Sequence, residues 1–378
     1  MIRIEEKQNC CGCRACEQAC PKNCITMKAD EEGFCYPAID EDICVRCGLC
    51  ERVCPVKNTQ QDNGGHPEAY AAYSLDETLR SNSSSGGVFS LLAEKILAEG
   101  GLVYGAAMEE RCVRQIRVAS KEEISRLRGS KYVQSDVGET YLQARKDLAE
   151  GKTVLYTGTP CQIEGLLHFL GKVPENLVCM DIICHGVPSP MVWDRYCSFQ
   201  EEKARAQISA VSFREKMDGW KQYAMKLSFR NGAVYRRMHR DDWYMRAFLH
   251  DFSLRPSCYQ CKFKKVGRIS DITLADFWGA QEVCPEMDDD KGLSLVMIHS
   301  ETGRRLFAML EKELRWKPVD FQAAIARNRS MATSAEKPEG RERFMQEIQT
   351  EAFDKVVASY ADRRKGKLRK IFERIVRS

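Results

Sequence analysis

The pattern of apolar and polar residues changes near residue 58. Before that point, short apolar stretches are interrupted by closely spaced cysteines, so no helical or strand period is sustained. After residue 68, short apolar runs alternate with stretches in which apolar residues recur at helical spacing. The polar, turn-rich residues 59–68 predict a linker. We therefore expect a small first domain at 1–58 with little regular structure, followed by an α/β (α+β) region with a mixed sheet.

The larger region is predicted to alternate strands and helices. Up to residue 183 we expect strands at 69–74, 102–108, 154–157 and 177–183, and helices at 88–99, 139–150 and 162–170. The strands on either side of the third helix form a β-α-β unit, so they should lie parallel. Further on, an alternating segment predicts an antiparallel hairpin that turns at Asn231-Gly232.

After the hairpin, helices are predicted near 241–250 and 301–313, with a strand in the segment I-S-D-I-T-L-A-D-F-W-G between them. Beyond about residue 330 the chain is predicted to be helical, polar and peripheral. We divide the region into domains at 69–152 and 153–330 and a helical, basic tail at 331–378. The last segment, 363–378, has eight Lys/Arg and one Glu. We favour a solvated terminal helix there, with peripheral contact to a membrane surface or a partner as the alternative.

Composition narrows the class of protein. The 378 residues are 43% hydrophobic and 30% charged, which is typical of a chain that buries a sizeable core. A net charge of +4 gives no reason to expect nucleic acid or another polyanion as partner. Nineteen cysteines and a start without an apolar leader favour a reducing, cytoplasmic setting. No apolar run approaches the ~20 residues of a membrane span.

The strongest chemical signal is the spacing C-x2-C-x2-C-x3-C-P, which occurs twice. Its cysteines are Cys10, Cys13, Cys16 and Cys20 in the first run and Cys44, Cys47, Cys50 and Cys54 in the second. In two-cluster ferredoxins, three thiolates of one run and the fourth of the other hold each [4Fe–4S] cluster. We therefore predict that Cys54 completes the first cluster and Cys20 the second. A disulfide framework and zinc fit this spacing poorly.

Three further cysteines of the first domain, Cys11, Cys24 and Cys35, lie outside this spacing. We interpret each as a small buried or incidental residue.

A second set of cysteines follows predicted strands of the larger region. Cys161 comes after the strand at 154–157, Cys184 after the strand at 177–183, and Cys258 and Cys261 form a C-x2-C pair. The carboxyl ends of neighbouring parallel strands open on one edge of a sheet, the usual ligand side. Cys161 would also start a helix, where we expect its pKa to be lowered. A third cluster, a zinc site and unrelated buried thiols all remain open from these residues.

The Ser/Gly run at 81–87 opens a predicted helix. Such a run presents free N–H groups to an anion such as a phosphate, and it equally suits a simple helix cap in a mobile loop. The sequence favours neither. There is no G-x-G-x-x-G dinucleotide fingerprint.

Several segments between about residues 68 and 330 together resemble a known family. They are S-S-S-G-G-V-F-S, L-R-G-S-K-Y-V-Q-S, Y-T-G-T-P-C-Q-I-E-G-L, C-H-G-V-P-S-P and C-Y-Q-C-K-F…D-I-T-L-A-D-F-W-G. The chain resembles the beta subunit of coenzyme F420 hydrogenase/dehydrogenase, a flavoprotein that oxidises a deazaflavin. An N-terminal ferredoxin extension also occurs in that family, and some bacterial members do not use the deazaflavin.

The resemblance implies two cofactors in the larger region, a flavin (FAD, or alternatively FMN) and a third [4Fe–4S] cluster. The cluster ligands it implies are Cys161, Cys184, Cys258 and Cys261. The flavin-site residues it implies are Ser84, Ser85, Gly86, Gly87, Lys131, Tyr132, Gln134 and Ser135. Lys131 would stabilise the anionic reduced flavin if it faces the N1 side of the ring. No general acid or base can be assigned.

These expectations describe an oxidoreductase. Clusters pass single electrons, whereas a deazaflavin or a nicotinamide exchanges a hydride, and a flavin does both. We expect electrons to pass between ferredoxin, or a partner redox subunit, and an organic hydride donor or acceptor, either coenzyme F420 or another reducible molecule. The alternative is an electron-relay adaptor subunit of a larger complex, with no small substrate of its own.

Overall fold

The computed structural model describes residues 1–59 and 65–361. Its strands are Ile25–Ala29 (β1), Cys35–Ile39 (β2), Glu68–Ser74 (β3), Leu102–Glu109 (β4), Cys112–Val118 (β5), Val154–Gly158 (β6), Leu177–Ile182 (β7), Ile208–Glu215 (β8), Ala224–Phe229 (β9), Val234–Met238 (β10), Ile272–Asp276 (β11), Ser294–Ile298 (β12) and Leu314–Val319 (β13). Its α-helices are Ala15–Gln18 (α1), Leu49–Arg52 (α2), Glu77–Ser81 (α3), Val88–Ala98 (α4), Ile124–Leu127 (α5), Thr140–Ala149 (α6), Pro160–Leu170 (α7), Pro190–Ala204 (α8), Trp243–Leu249 (α9), Ala280–Val283 (α10), Glu301–Leu310 (α11), Phe321–Ile325 (α12), Arg341–Thr350 (α13) and Phe353–Tyr360 (α14).

An eight-stranded mixed sheet forms the centre of the larger region. Its strand order is β13-β3-β12-β11-β7-β6-β4-β5. The four strands β11, β7, β6 and β4 are parallel to one another, and the outer pairs are antiparallel. Because β3 and β11 both pair antiparallel with β12, they run in the same direction. The carboxyl ends of five strands therefore lie along one edge of the sheet.

Two smaller sheets complete the architecture. β1 and β2 form an antiparallel hairpin in the cysteine-rich N-terminal part, and β8, β9 and β10 form an antiparallel sheet. The predicted turn at Asn231-Gly232 is confirmed, since it joins β9 to β10. The parallel pairing of β6 with β7 across α7 is confirmed too. The mixed α/β class was correctly predicted.

One hydrophobic core joins the N-terminal part to the larger region. Cys13 and Val53 lie in the same buried cluster as Tyr141, Ile163 and Leu166, which come from α6 and α7. The side-chain oxygen of buried Gln18 accepts hydrogen bonds from the backbone N–H groups of Tyr141 and Leu142, at 3.0 and 3.1 Å. Residues 1–58 thus pack directly against α6 and α7.

The helical prediction beyond residue 330 is confirmed for α13 and α14, but their peripheral placement is wrong. Phe344 and Val357 are fully buried against the three-stranded sheet and α9. Arg341, at the start of α13, makes two hydrogen bonds of 2.6 and 2.7 Å to Glu32 in the β1–β2 turn. The basic segment 363–378 lies outside the described residues, as does half of the predicted linker.

Within 1–59 and 65–361, no helix combines the length and the apolar character needed to cross a bilayer.

Candidate functional site

The four cysteines predicted for the third site are brought together at the carboxyl edge of the parallel strands. Cys161 lies in the first turn of α7, two residues after the capping residue Thr159, and Cys184 follows β7. All four, Cys161, Cys184, Cys258 and Cys261, line one cavity. Among the described residues, no three His, Cys, Asp or Glu side chains converge closely enough for a single metal ion.

The prediction of a lowered pKa for Cys161 is wrong. A side-chain contact with Cys11, followed by burial, holds the pKa of the Cys161 thiol well above its usual range. These two effects outweigh the lowering of the pKa that is expected at the start of a helix. Burial also raises the pKa of Cys184 to about 12, although nearby Lys264 opposes the change. Burial raises the pKa values of Cys258 and Cys261 as well, so a cation at this site would stabilise the four thiolates.

Basic side chains surround this cavity. Lys264 Nζ donates to the carbonyl oxygen of Cys184 and, at 2.9 Å, to that of Ser330. Arg268 is buried and donates to Asp181 at 3.3 Å. Both cations line the cavity wall, so they offset part of the negative charge that the four thiolates would carry.

The second N-terminal site joins cysteines from both runs. Cys20, from the first run, lines one cavity together with Cys44, Cys47 and Cys50 from the second. Cys24 lies in the same cavity, with its sulfur 3.3 Å from that of Cys20. Cys24 is buried, in agreement with its interpretation as a small buried residue, and it lies beside the predicted ligands of the second cluster.

At the first N-terminal site, the cysteine that comes from the other run is Cys54. Burial raises the pKa of Cys16, and the neighbouring thiols of Cys10 and Cys54 add to the effect. Burial raises the pKa of Cys54 too, and the Cys10 thiol again adds to the change. At the first site, Cys10 and Cys16 of the first run therefore lie near Cys54 of the second.

The first and third sites are in direct contact. Gly165 on α7 packs so closely on Cys13 that a Cβ atom at Gly165 would lie 2.9 Å from the Cβ of Cys13. Buried Arg255, three residues before Cys258, donates from Nε to the Cys10 carbonyl at 2.8 Å and from Nη2 to the Cys35 carbonyl at 2.9 Å. The segment that carries the C-x2-C pair is thus fixed to the N-terminal part.

The predicted flavin residues of the Ser/Gly run lie at the same edge of the sheet. Ser84 Oγ is 3.2 Å from Ser130 Oγ, and Ser85 Oγ donates to Leu293 O at 2.7 Å. Gly87 caps α4 with φ +90°. Gly86 N–H donates to Ser294 Oγ at 3.0 Å, so this N–H group is not free for an anion.

Lys131 and Tyr132 lie next to Ser130. The Lys131 ammonium donates to the carbonyl oxygens of Leu127 and Arg128, both at 2.8 Å. Burial lowers the pKa of Lys131 to about 7. Tyr132 packs on Phe248 with ring centroids 4.9 Å apart. These residues combine a cation of low pKa with an aromatic surface.

Gln134 and Ser135 contact the cysteine-rich region. Gln134 Nε2 donates to the Cys11 carbonyl at 3.2 Å, and its Oε1 accepts from Arg255 at 3.0 Å. Ser135 Oγ accepts from Gln162 Nε2 at 2.9 Å, next to Cys161. The segment 131–135 therefore spans the space between Ser84 and the third site.

Three residues that the sequence analysis did not single out lie beside Ser84 and Tyr132. Trp220 Nε1 donates to the Ser84 carbonyl at 3.1 Å and its ring stacks on Trp278 at 4.9 Å. Arg214 is buried against Trp278 and pairs with Asp276 at the end of β11. Trp278 and Asp276 occur in the quoted D-F-W-G segment, so that segment was the available signal.

Family models match most of the chain. Those for "Coenzyme F420 hydrogenase/dehydrogenase, beta subunit" match residues 69–140 with the N-terminal model and residues 151–321 with the C-terminal model. The chain belongs to this family. A "4Fe-4S dicluster domain" model matches residues 9–58, so the N-terminal part is an iron–sulfur domain of the ferredoxin type.

Individual proteins are similar to this chain over different spans. A subunit of the F(420)H(2) dehydrogenase of Methanosarcina mazei is 25% identical over 327 residues, which span 81% of this chain and 83% of that protein. "Ferredoxin 7Fe" of Hydrogenibacillus schlegelii is 37% identical over 59 residues, 16% of this chain and 68% of the ferredoxin. A chain of the F420-reducing [NiFe] hydrogenase complex from Methanosarcina barkeri aligns with a TM-score of 0.49 and 18% identity, over 72% of this chain and 90% of that one.

Proposed function

We propose that this protein is a flavin- and iron–sulfur-dependent oxidoreductase. It passes electrons between a ferredoxin-like redox partner and an organic molecule that exchanges a hydride, with coenzyme F420 as the first candidate. The observation that carries the proposal is the continuous series of cysteine groups from exposed Cys47 to Cys161 at the carboxyl edge of the sheet. A series of this kind suits stepwise transfer of single electrons.

The thiol groups suit [4Fe–4S] clusters. Each N-terminal group contains three cysteines of one run and a fourth from the other, as in two-cluster ferredoxins. The third group adds Cys161, Cys184, Cys258 and Cys261. Cys50 contributes to the electrostatic environment of Cys16, and Cys13 contacts Gly165 on the helix that carries Cys161. These contacts support the order second cluster, first cluster, third cluster.

Electrons enter at the second cluster in this proposal. Cys47 is exposed, and the apolar side chains Ile43 and Val45 beside it are 51% and 56% exposed. By contrast, Cys13 and Cys16 are buried. The second group thus offers a surface where a protein partner comes close to a cluster ligand.

The residues of the flavin region fit an anionic, aromatic-stacked cofactor. A bound flavin supplies the exchange between one-electron and hydride chemistry. The Lys131 ammonium, held by two carbonyl oxygens, is able to pair with negative charge. The Ser84 and Ser130 hydroxyls supply donors, and Trp278 and Tyr132 supply aromatic surface.

The test is anaerobic mixing of the cofactor-loaded protein with reduced ferredoxin while the visible absorbance of the flavin is followed. We expect bleaching in the wild type and slow or no bleaching in Cys47→Ala. Cys112→Ala is the matched control, because Cys112 is also exposed but lies in β5 outside the three cysteine groups. Equal bleaching in Cys47→Ala and wild type would show that the N-terminal clusters are not the route.

The adaptor alternative predicts a different kinetic result. Steady turnover by the isolated protein with reduced coenzyme F420, or another hydride donor, and an artificial one-electron acceptor supports the enzyme. Fully loaded protein that shows no turnover with either kind of donor is an electron-relay subunit.

A further inference from the structure

Cys11 lies between the first and third cysteine groups. It stands two residues before Cys13 of the first group, and it lines the same cavity as Cys161 of the third. It is 8% exposed and lines the cavity of the third site. The cavity formed by four thiols of the larger region therefore has a fifth thiol, supplied by the N-terminal part.

The position of Cys11 is fixed by the backbone on both sides. Its carbonyl accepts from Gln134 Nε2, and the carbonyl of Cys10 accepts from Arg255 Nε. Gly12 has φ +75°, and a Cβ atom there would lie 2.7 Å from Gln134 Nε2. This close packing holds the Cys11 side chain at the junction of the two groups.

Cys11 is not required as a ligand. The first group already has three cysteines of its own run and Cys54, and the third group has four cysteines of its own. A thiol that is not a ligand keeps its S–H and can donate it weakly. Hydrogen bonds to the sulfurs of a cluster are among the factors that set its reduction potential. They raise the potential because they stabilise the charge that grows on reduction.

We propose that Cys11 is a positioning residue of the relay: its S–H group donates to a ligand sulfur at the junction of the first and third clusters and raises the potential there. Because Cys11 lies between Cys13 and the cavity that Cys161 lines, its sulfur also links the two groups. This inference rests on the proposed function, since it requires clusters at both groups. It gives a role in the relay to a cysteine that lies outside the ligand spacing.

The test compares Cys11→Ala and Cys11→Ser in the full-length, cofactor-loaded protein. Both variants should keep about 12 iron atoms per chain, because four cysteines remain for each cluster. In redox titrations followed by EPR, Cys11→Ala should lower the potential of the first or the third cluster and leave the second unchanged. Cys11→Ser should restore most of the difference, since its hydroxyl still donates.

Cys24→Ala is the matched control, because Cys24 contacts Cys20 and Cys44 at the second cluster. It should change only the potential of the second cluster. Loss of iron from Cys11→Ala or Cys11→Ser would show that Cys11 is a ligand and would overturn the positioning role. Unchanged potentials in Cys11→Ala would overturn it as well. A wild type with fewer than three clusters would instead refute the three-cluster order of the proposed function, on which this inference rests.

Discussion

At the scale of single residues, the cysteines are placed by contacts that their order in the chain does not show. Cys20 ends the first run, yet it shares a cavity with Cys44, Cys47 and Cys50. The crossed assignment makes Cys20 a ligand of the second cluster. Cys24, only 3.3 Å from the Cys20 sulfur, is close enough to replace it. A single substitution at Cys20 is therefore a weak test.

The double variant Cys20→Ala/Cys24→Ala should lose the second cluster and keep the first and the third. Iron should fall from about 12 to about 8 atoms per chain, because one [4Fe–4S] cluster is lost. Site-resolved spectroscopy on anaerobically loaded protein measures which cluster remains. Cys35→Ala, a half-buried cysteine of β2, is the control and should keep all the iron. Loss of the first cluster's signal in the double variant would refute the crossed assignment.

The pKa of Lys131 predicts that flavin binding depends on pH. Burial lowers its pKa to about 7, so the cation is present below pH 7 and is lost as the pH rises through that value. An anionic flavin should therefore bind more tightly below pH 7 than above it. In Lys131→Gln the affinity should be weaker at low pH and change less with pH.

The measurement is flavin binding, followed by quenching of its fluorescence, between about pH 6 and pH 8.5, a range on either side of this pKa. Lys146→Gln is the control, since Lys146 is an exposed lysine of α6. Parallel pH curves for wild type and Lys131→Gln would mean that Lys131 does not face the flavin.

At the scale of elements, local signals predicted about half of the helices and strands and the parallel pairing of β6 with β7, but not the contacts between parts that are far apart in the chain. β6, α7 and β7 follow from short apolar runs and from Gly or Pro at their ends, and these features are local. The placement of α13 against the β1–β2 turn rests on Arg341 and Glu32, which are 309 residues apart. Likewise, the cysteine spacing predicted the ligand sets but gave no indication that Cys11 and Cys161 line the same cavity. Contacts of this range depend on packing, which no periodicity encodes.

The pair Arg341–Glu32 should matter for stability. Both side chains are buried, and removing one partner of a buried ion pair typically costs about 3–5 kcal/mol because the other charge is left without compensation. Arg341→Met should therefore lower the midpoint of thermal unfolding markedly. Glu32→Gln/Arg341→Met should recover part of the loss, since the buried charge is then absent.

Arg343→Met is the matched control. Arg343 lies on the same helix but pairs with Glu347 on the surface, and exposed pairs of this kind contribute about 0.2–1 kcal/mol. Equal thermal midpoints for Arg341→Met and Arg343→Met would show that α13 does not hold the hairpin turn in place.

At the scale of the whole molecule, the N-terminal part and the larger region share a buried core and a junction at Arg255. Cutting the chain near residue 68 would expose apolar surface on α6 and α7, so a truncated protein is a poor test of the third site. Variants of the full-length chain are the better test of the third site, because substitutions there leave that core in place. The question to decide is whether this site holds a cluster or zinc.

The triple variant Cys184→Ser/Cys258→Ser/Cys261→Ser should keep about 8 iron atoms per chain, against about 12 in the wild type, because only the third cluster is removed. Metal analysis of anaerobically reconstituted protein measures both values. The control Cys112→Ser/Cys179→Ser/Cys197→Ser changes three cysteines outside the three groups and should keep about 12. A wild type with one zinc and about 8 iron atoms, in which the triple variant loses only the zinc, would show that the third group is a zinc site. The path to the flavin would then end at the first cluster.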